Sequence, residues 1–137
     1  MKTNLDSKFK ADTTLEEGGV WVTVDTEAGI SFRLKRYGGK NASKIREANS
    51  RFSKQYAHKI ASGNLSVEES EEIAIKAFCS ACLIDWKGIK DESDKELPFT
   101  FDNSVKLLTD LPELMDTLFR YANRFETYKE TETVGNS

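Results

Sequence analysis

Apolar and polar residues alternate over two short stretches near the start of the chain. The first, VWVTV at 20–24, has valine at every second position, and the second, ISFRL at 30–34, has apolar residues at 30, 32 and 34. A period of two is typical of strands with one buried face. Between them, DTEAG is rich in turn-forming residues. The pattern therefore predicts a β-hairpin over residues 18–36.

In most of the remaining chain, apolar residues recur at intervals of three or four, which is typical of amphipathic helices. Ser66 to Glu69 has the sequence of a capping box, in which the serine hydroxyl and the glutamate each satisfy a backbone amide. Pro112 fits the first turn of the last helix, where its missing amide hydrogen is harmless. The pattern predicts four helices, at about 43–62, 66–86, 101–109 and 112–127.

Together these elements predict an α+β fold, with an N-terminal β-hairpin followed by a bundle of about four α-helices. A chain of 137 residues is long enough for one domain with its own core. We expect a flexible arm at 1–17, a single and mostly helical domain at 18–128, and a flexible tail at 129–137. The two ends carry few apolar residues to bury, so little would hold them against the domain.

The cysteines, Cys79 and Cys82, form a C-x-x-C pair in an apolar stretch. A structural zinc site needs four ligands, and a redox dithiol needs an exposed cysteine at a helix start. The chain offers a single cysteine pair and one histidine, His58, and the pair falls late in a predicted helix. We therefore predict buried packing for both thiols, with no metal, no cofactor and no catalytic residues.

The net charge of −3 hides an uneven distribution of charge along the chain. Nine lysines and arginines face a single acid between Arg33 and Lys59, whereas acids dominate from Glu68 onwards. Clustered bases near Phe52 and Tyr56 could follow a phosphate backbone, so a small nucleic-acid-binding regulator using segment 33–59 is the alternative function. Both aromatics lie on the apolar stripe of a helix, which makes nucleic acid the less favoured partner. The bases could equally meet the acidic half of another copy, giving self-association.

No apolar run approaches the roughly 20 residues needed to cross a bilayer. The first seventeen residues also lack the apolar stretch of a secretory signal. We therefore expect a protein that stays in the cytoplasm and has no membrane partner.

Several short motifs follow one another in a characteristic order. The hairpin segment GGVWVTVDTEAGISFRLKRYGGKN comes first, followed after two helices by Asp85-Trp86-Lys87-Gly88, an acidic loop, Pro98-Phe99, Leu107-Leu108 and the run from Asp110 to Leu114. This order resembles the tail assembly chaperones of long-tailed bacteriophages. The likeness extends from about Gly18 to Phe125, although the acidic loop lacks a glycine that many relatives carry.

The resemblance implies a non-enzymatic assembly factor in the cytoplasm of the infected bacterium. Such chaperones bind the tape measure protein, keep it soluble, and help the tail tube to polymerise around it, but they are not part of the mature virion. In many such phages a ribosomal frameshift also produces a longer form that recruits the tail tube protein.

A tape measure segment would present apolar helical stripes, so the receiving surface needs exposed apolar side chains with a polar rim. We expect these side chains around the acidic loop and on the last helix. The candidates are Trp86, Leu97, Phe99, Phe101, Leu114, Met115, Leu118 and Phe119. The basic segment would add electrostatic contacts through Arg36, Lys44, Arg51 and Lys54.

Overall fold

The structure, a computed structural model, describes residues 1–130. Its strands are β1 (Val20–Asp25), β2 (Ile30–Leu34) and β3 (Leu83–Lys87). Its helices are α1 (Asp6–Phe9), α2 (Thr13–Gly18), α3 (Ala42–Ser53), α4 (Ala57–Ser62), α5 (Val67–Ala81), α6 (Phe101–Asp110) and α7 (Pro112–Asn123). Short 3-10 turns lie at Gly39–Asn41, Lys54–Tyr56 and Phe125–Tyr128. Within this part of the chain, no helix combines the length and the hydropathy required to span a bilayer.

The predicted architecture of a lone hairpin followed by a four-helix bundle is wrong, because the sheet has a third strand. β1 and β2 form the expected hairpin, but β3 pairs antiparallel with β2 to give the order β1-β2-β3. Phe32 lies opposite Val22 on one side and Trp86 on the other. The rings of Phe32 and Trp86 meet edge to face with their centroids 6.2 Å apart. The sheet therefore buries its inner face through three strands.

The helix predicted at 66–86 ends five residues early. The capping box at Ser66 is confirmed, since its Oγ accepts a hydrogen bond from the Glu69 amide at 3.1 Å. Strand β3 then begins at Leu83, directly after the helix. In the pairing with β2, Leu83 lies opposite Leu34 and Asp85 lies opposite Arg33, so Ile84 has no residue of β2 opposite it. This bulge breaks the alternation of apolar and polar residues, so periodicity could not distinguish β3 from a continuing helix.

The hairpin is also not the first element of the fold. Helix α2 precedes it, and the Asp12 side chain caps this helix by accepting from the amides of Thr14 and Leu15. Glu16 of α2 is buried and forms an ion pair with Arg36, just beyond β2. A buried carboxylate needs such a partner, so part of the segment predicted as an arm is packed into the domain.

The core lies between the sheet and the helices, with α5 at its centre. Helix α5 packs against α3 on one side and α6 on another, and its Phe78 is almost fully buried. Leu108 of α6 and Leu118 of α7 are fully buried beside it. The apolar character of α5 on most of its surface is explained by these neighbours.

Residues 131–137, most of the predicted tail at 129–137, lie outside the described residues. Before them, Lys129 forms an isolated antiparallel bridge with Ala11, and the Glu130 amide donates to the Lys10 carbonyl at 2.9 Å. The beginning and the end of the described chain therefore lie side by side.

Gly39 provides a test of the packing around Glu16. Its φ is +53°, and a Cβ added there would overlap the Glu16 carboxyl group. Gly63 has a φ of +74° but no heavy atom within 4 Å of an added Cβ. Both changes place alanine in a left-handed backbone conformation, which lowers the free energy of unfolding. Gly39→Ala must also displace the buried ion pair.

We expect Gly63→Ala to lower the free energy of unfolding by about 1 kcal/mol and Gly39→Ala by about 2–4 kcal/mol. Urea unfolding followed by circular dichroism measures both. Equal losses in the two variants would show that Gly39 does not lie against Glu16.

Candidate partner-binding groove

An open groove of about 700 Å³ lies between α5, α6 and α7. Its floor is apolar and includes Ile75, Val105, Leu108 and Met115. Leu108 is fully buried, while the other three are partly exposed, so the floor is the place where the core reaches the surface.

Helix geometry explains why these side chains meet. Val105 and Leu108 are three residues apart on α6, and Pro112 and Met115 are three apart on α7, so each pair shares one helix face. Leu111 alone separates the two helices. The short connection holds the apolar faces of α6 and α7 beside each other, and α5 supplies the third wall.

The rim of the groove is acidic. The side chains of Glu68, Glu71 and Glu72 lie on the same face of α5 as Ile75, because they precede it at intervals of three or four residues. On α7, Asp116 is next to Met115 in sequence. The acids near the start of α5 also favour its positive N-terminus, which explains their position without any partner. The groove therefore has an apolar floor, with acidic side chains on the walls formed by α5 and α7.

Two acids that line the groove, Glu69 and Glu72, form contacts with lysine or tyrosine side chains of the same chain. Lys59 Nζ lies 2.6 Å from Glu69 Oε2, and this hydrogen bond lowers the pKa of Glu69. The Tyr56 hydroxyl donates to Glu72, which lowers the pKa of Glu72, and Lys76 Nζ lies 3.2 Å from the other oxygen of that carboxylate. Both carboxylates are therefore ionised at neutral pH.

Three other acids on the groove lack such a partner. Glu68, Glu71 and Asp116 form no ion pair with any residue in 1–130, and all three are exposed. The groove therefore presents uncompensated negative charge beside an apolar floor.

Of the eight apolar residues predicted from the sequence to bind a partner, only Met115 lines this groove. Trp86 and Leu118 are buried in the core. The Trp86 ring nitrogen donates to the Leu97 carbonyl at 2.8 Å, and its ring meets Phe99 edge to face at 5.0 Å. These contacts hold the acidic loop against the sheet, where Trp86, Leu97 and Phe99 line a separate pocket of about 320 Å³. Trp86 itself is only 6% exposed there.

The other predicted apolar residues are partly accessible but lie elsewhere. Phe101 is 38% exposed and stacks on Phe52 with the ring centroids 5.7 Å apart. Phe119 packs on Tyr37 at 4.8 Å, and Leu114 is half-buried beside the core. The set of eight therefore does not form one surface.

The four basic residues predicted to make electrostatic contacts are used in different ways. Arg36 pairs with Glu16, and its guanidinium lies 5.6 Å from the centre of the Phe125 ring. Arg51 donates to Ser80 Oγ at 2.5 Å. Lys44 and Lys54 are exposed. Half of the set is thus committed to contacts within the chain.

Sequence reasoning did not identify Ile75, Val105, Glu68, Glu71 or Asp116 as site residues. One signal was present, because Glu68, Glu71 and Ile75 fall on one face of a helix. Nothing in the sequence indicated that α6 and α7 would place an apolar floor beside these acids. Only the packing of three helices defines the groove.

Cys79 and Cys82 are buried, as predicted. Burial raises the pKa of Cys79 to about 11 and the pKa of Cys82 to about 12. Thiols with such pKa values stay protonated at neutral pH, and a protonated thiol is a poor nucleophile and metal ligand. Among residues 1–130, no three His, Cys, Asp or Glu side chains converge as a set of metal ligands.

Most of the chain matches the model of a known protein family. The model of a family described as YdaY prophage protein matches residues 40–136, which include the three helices of the groove. No curated protein and no solved structure matches the chain.

The buried thiols lead to a prediction about reactivity. At pH 8 we expect a thiol-specific reagent to label Cys79 and Cys82 at least about 100-fold more slowly in the folded protein than in guanidinium chloride, because a pKa raised by two units leaves about 100-fold less thiolate. Mass spectrometry of quenched samples measures the rates. Rapid labelling of both thiols without denaturant would contradict their burial.

Proposed function

The chain belongs to the YdaY prophage protein family, and on that premise we propose that it is a bacteriophage tail assembly chaperone. In this proposal it binds and solubilises the tape measure protein and helps the tail tube to polymerise around it. It is not an enzyme, works in the host bacterial cytoplasm and is not part of the mature virion. The predicted bacteriophage origin is confirmed by the family, and the chaperone role is our inference.

The observation that carries the proposal is the groove between α5, α6 and α7. A tape measure protein is a long helical protein whose apolar stripes aggregate when they are exposed. An open groove with an apolar floor and a charged rim is the surface that an amphipathic helix fits, with its apolar face inward and its polar face towards water.

The energetics of such a contact are favourable but moderate. Burying one leucine-sized side chain contributes about 1.5–3 kcal/mol, and a floor formed by Ile75, Val105 and Met115 could cover a few of them. Ordering the partner and losing its free motion offset much of this gain. Moderate affinity suits a chaperone, because the tail tube must displace it as assembly proceeds.

A long partner offers many similar stripes, so we expect several copies of the chain on each tape measure protein. Recruitment of the tail tube protein would belong to a longer, frameshifted form of the chain. Self-association of the free protein is not needed for either step.

The alternative function, a nucleic-acid-binding regulator using segment 33–59, receives less support. Arg36 and Lys59 are paired with glutamates of the same chain, and Arg51 contacts Ser80. The aromatics Phe52 and Tyr56 are partly buried, so neither offers a free ring on which a base could stack. We therefore base the proposal on the groove.

Co-expression with the tape measure protein of the same prophage tests the proposal. We expect the tape measure protein to become soluble and to copurify with this chain. A matched pair of variants then tests the groove, since Ala74 and Ser70 are both exposed on α5 but only Ala74 lines the groove. Ala74→Lys places a charged side chain against the incoming apolar stripe, and burying that charge costs free energy even where Glu71, one turn away, pairs with it, whereas Ser70→Lys adds the same charge outside the groove.

We expect Ala74→Lys to return most of the tape measure protein to the insoluble fraction and Ser70→Lys to behave as the unchanged chain. Circular dichroism melting of the two variants serves as the folding control. If the tape measure protein aggregates equally with and without this chain, the chaperone proposal is wrong. If both variants solubilise it equally well, the chain binds through another surface.

A further inference from the structure

The unpaired carboxylates on the groove indicate more about its partner than the apolar floor does. Glu68 and Glu71 stand on one wall and Asp116 on another, so negative charge flanks the floor on both sides. Lys59 contacts Glu69 and Lys76 contacts Glu72, so these two cations already have partners. Among residues 1–130, none of the three remaining acids forms an ion pair.

Like charges around an apolar surface discriminate between partners. A helix with acidic residues beside its apolar stripe would be repelled by both walls, and a neutral helix would leave the acids partly desolvated without compensation. A helix with basic residues beside its stripe would place a cation opposite each wall. On a helix, the residues directly before and after a stripe residue lie about 100° around the axis from it, so they border the stripe on its two sides, where such pairing needs them.

We propose that the occupant of the groove is an amphipathic helix whose apolar stripe is flanked on both sides by lysine or arginine. This inference rests on the proposed function and names the chemistry of the partner segment. It also implies that ionic strength regulates the contact, because exposed charge pairs are screened by salt.

Helix α3 of a second copy does not fit this description. The basic helix α3 would supply cations, but its apolar residues Ile45 and Ala48 are buried in its own core. The exposed residues of α3 are charged or are serines, and none is apolar. Another copy of α3 would therefore bring charge to the groove without an apolar stripe to cover the floor.

Two synthetic peptides of 18 residues test the inference directly. Both carry the same leucine stripe at helical spacing, and they differ in having lysine or glutamate at every flanking position. Binding to the full chain is measured by the fluorescence anisotropy of the labelled peptide at 50 and 500 mM NaCl. We expect the lysine peptide to bind at least tenfold more tightly than the glutamate peptide at 50 mM NaCl, and the difference to shrink at 500 mM.

A matched pair of double variants assigns the effect to the groove. Glu68→Gln with Glu71→Gln removes two charges from the rim, and Glu27→Gln with Glu92→Gln removes two charges from exposed positions outside it. Exposed pairs contribute about 0.2–1 kcal/mol each, so we expect the rim variant to bind the lysine peptide about 2- to 30-fold more weakly. The control variant should change its affinity less than twofold.

Several outcomes would overturn the inference. Equal affinity for the two peptides at 50 mM NaCl, or an unchanged affinity in the rim variant, would show that the rim charges do not select the partner, while solubilisation of the tape measure protein could still succeed. Self-association of the free chain, measured by analytical ultracentrifugation and abolished in the rim variant, would identify a second copy as the occupant. Failure of both the peptides and the tape measure protein to bind would contradict the proposed function as well.

Discussion

The buried ion pair between Glu16 and Arg36 is the interaction on which the rest of the structure depends. Glu16 is only 2% exposed, and an isolated carboxylate in that position would cost several kcal/mol. The Arg36 guanidinium forms an ion pair with this carboxylate. The backbone amide of Arg36 also donates to the Glu16 carbonyl at 3.1 Å. The pair therefore locks α2 onto the chain that leaves β2, and Gly39 is needed because a side chain there would displace the carboxylate.

From this pair, hydrogen bonds extend to the end of the central helix. The Asn41 side-chain amide donates to the carbonyl of Arg36 at 3.0 Å and to that of Ala81 at 2.9 Å. Ala81 is the last residue of α5, so the buried asparagine satisfies a carbonyl that a continuing helix would have used. Tyr128 acts in the same region, donating from its hydroxyl to the Leu34 carbonyl at 2.9 Å. These bonds position the junction between α5 and β3.

The groove is a consequence of where α5 is held. Helix α5 packs against α3, α6 and β3, and its residues Glu68, Glu71 and Ile75 line the groove. Helices α6 and α7 contribute Val105 and Met115 to the same groove. The site is thus built where three helices meet and the apolar core reaches the surface.

The sequence by itself determined the local elements whose signals are short-range. The alternation at 20–24 and 30–34, the capping box at Ser66 and Pro112 at a helix start each depend on neighbouring residues alone, and each lies where the sequence placed it. The burial of the two cysteines followed equally from their apolar surroundings. Tertiary structure decided what depends on residues distant in sequence: the bulged pairing that makes β3 a strand, the ion pair that packs α2 into the domain, and the meeting of three helices that forms the groove. Periodicity reports which face of an element is apolar, but it does not report which other element covers that face or leaves it open.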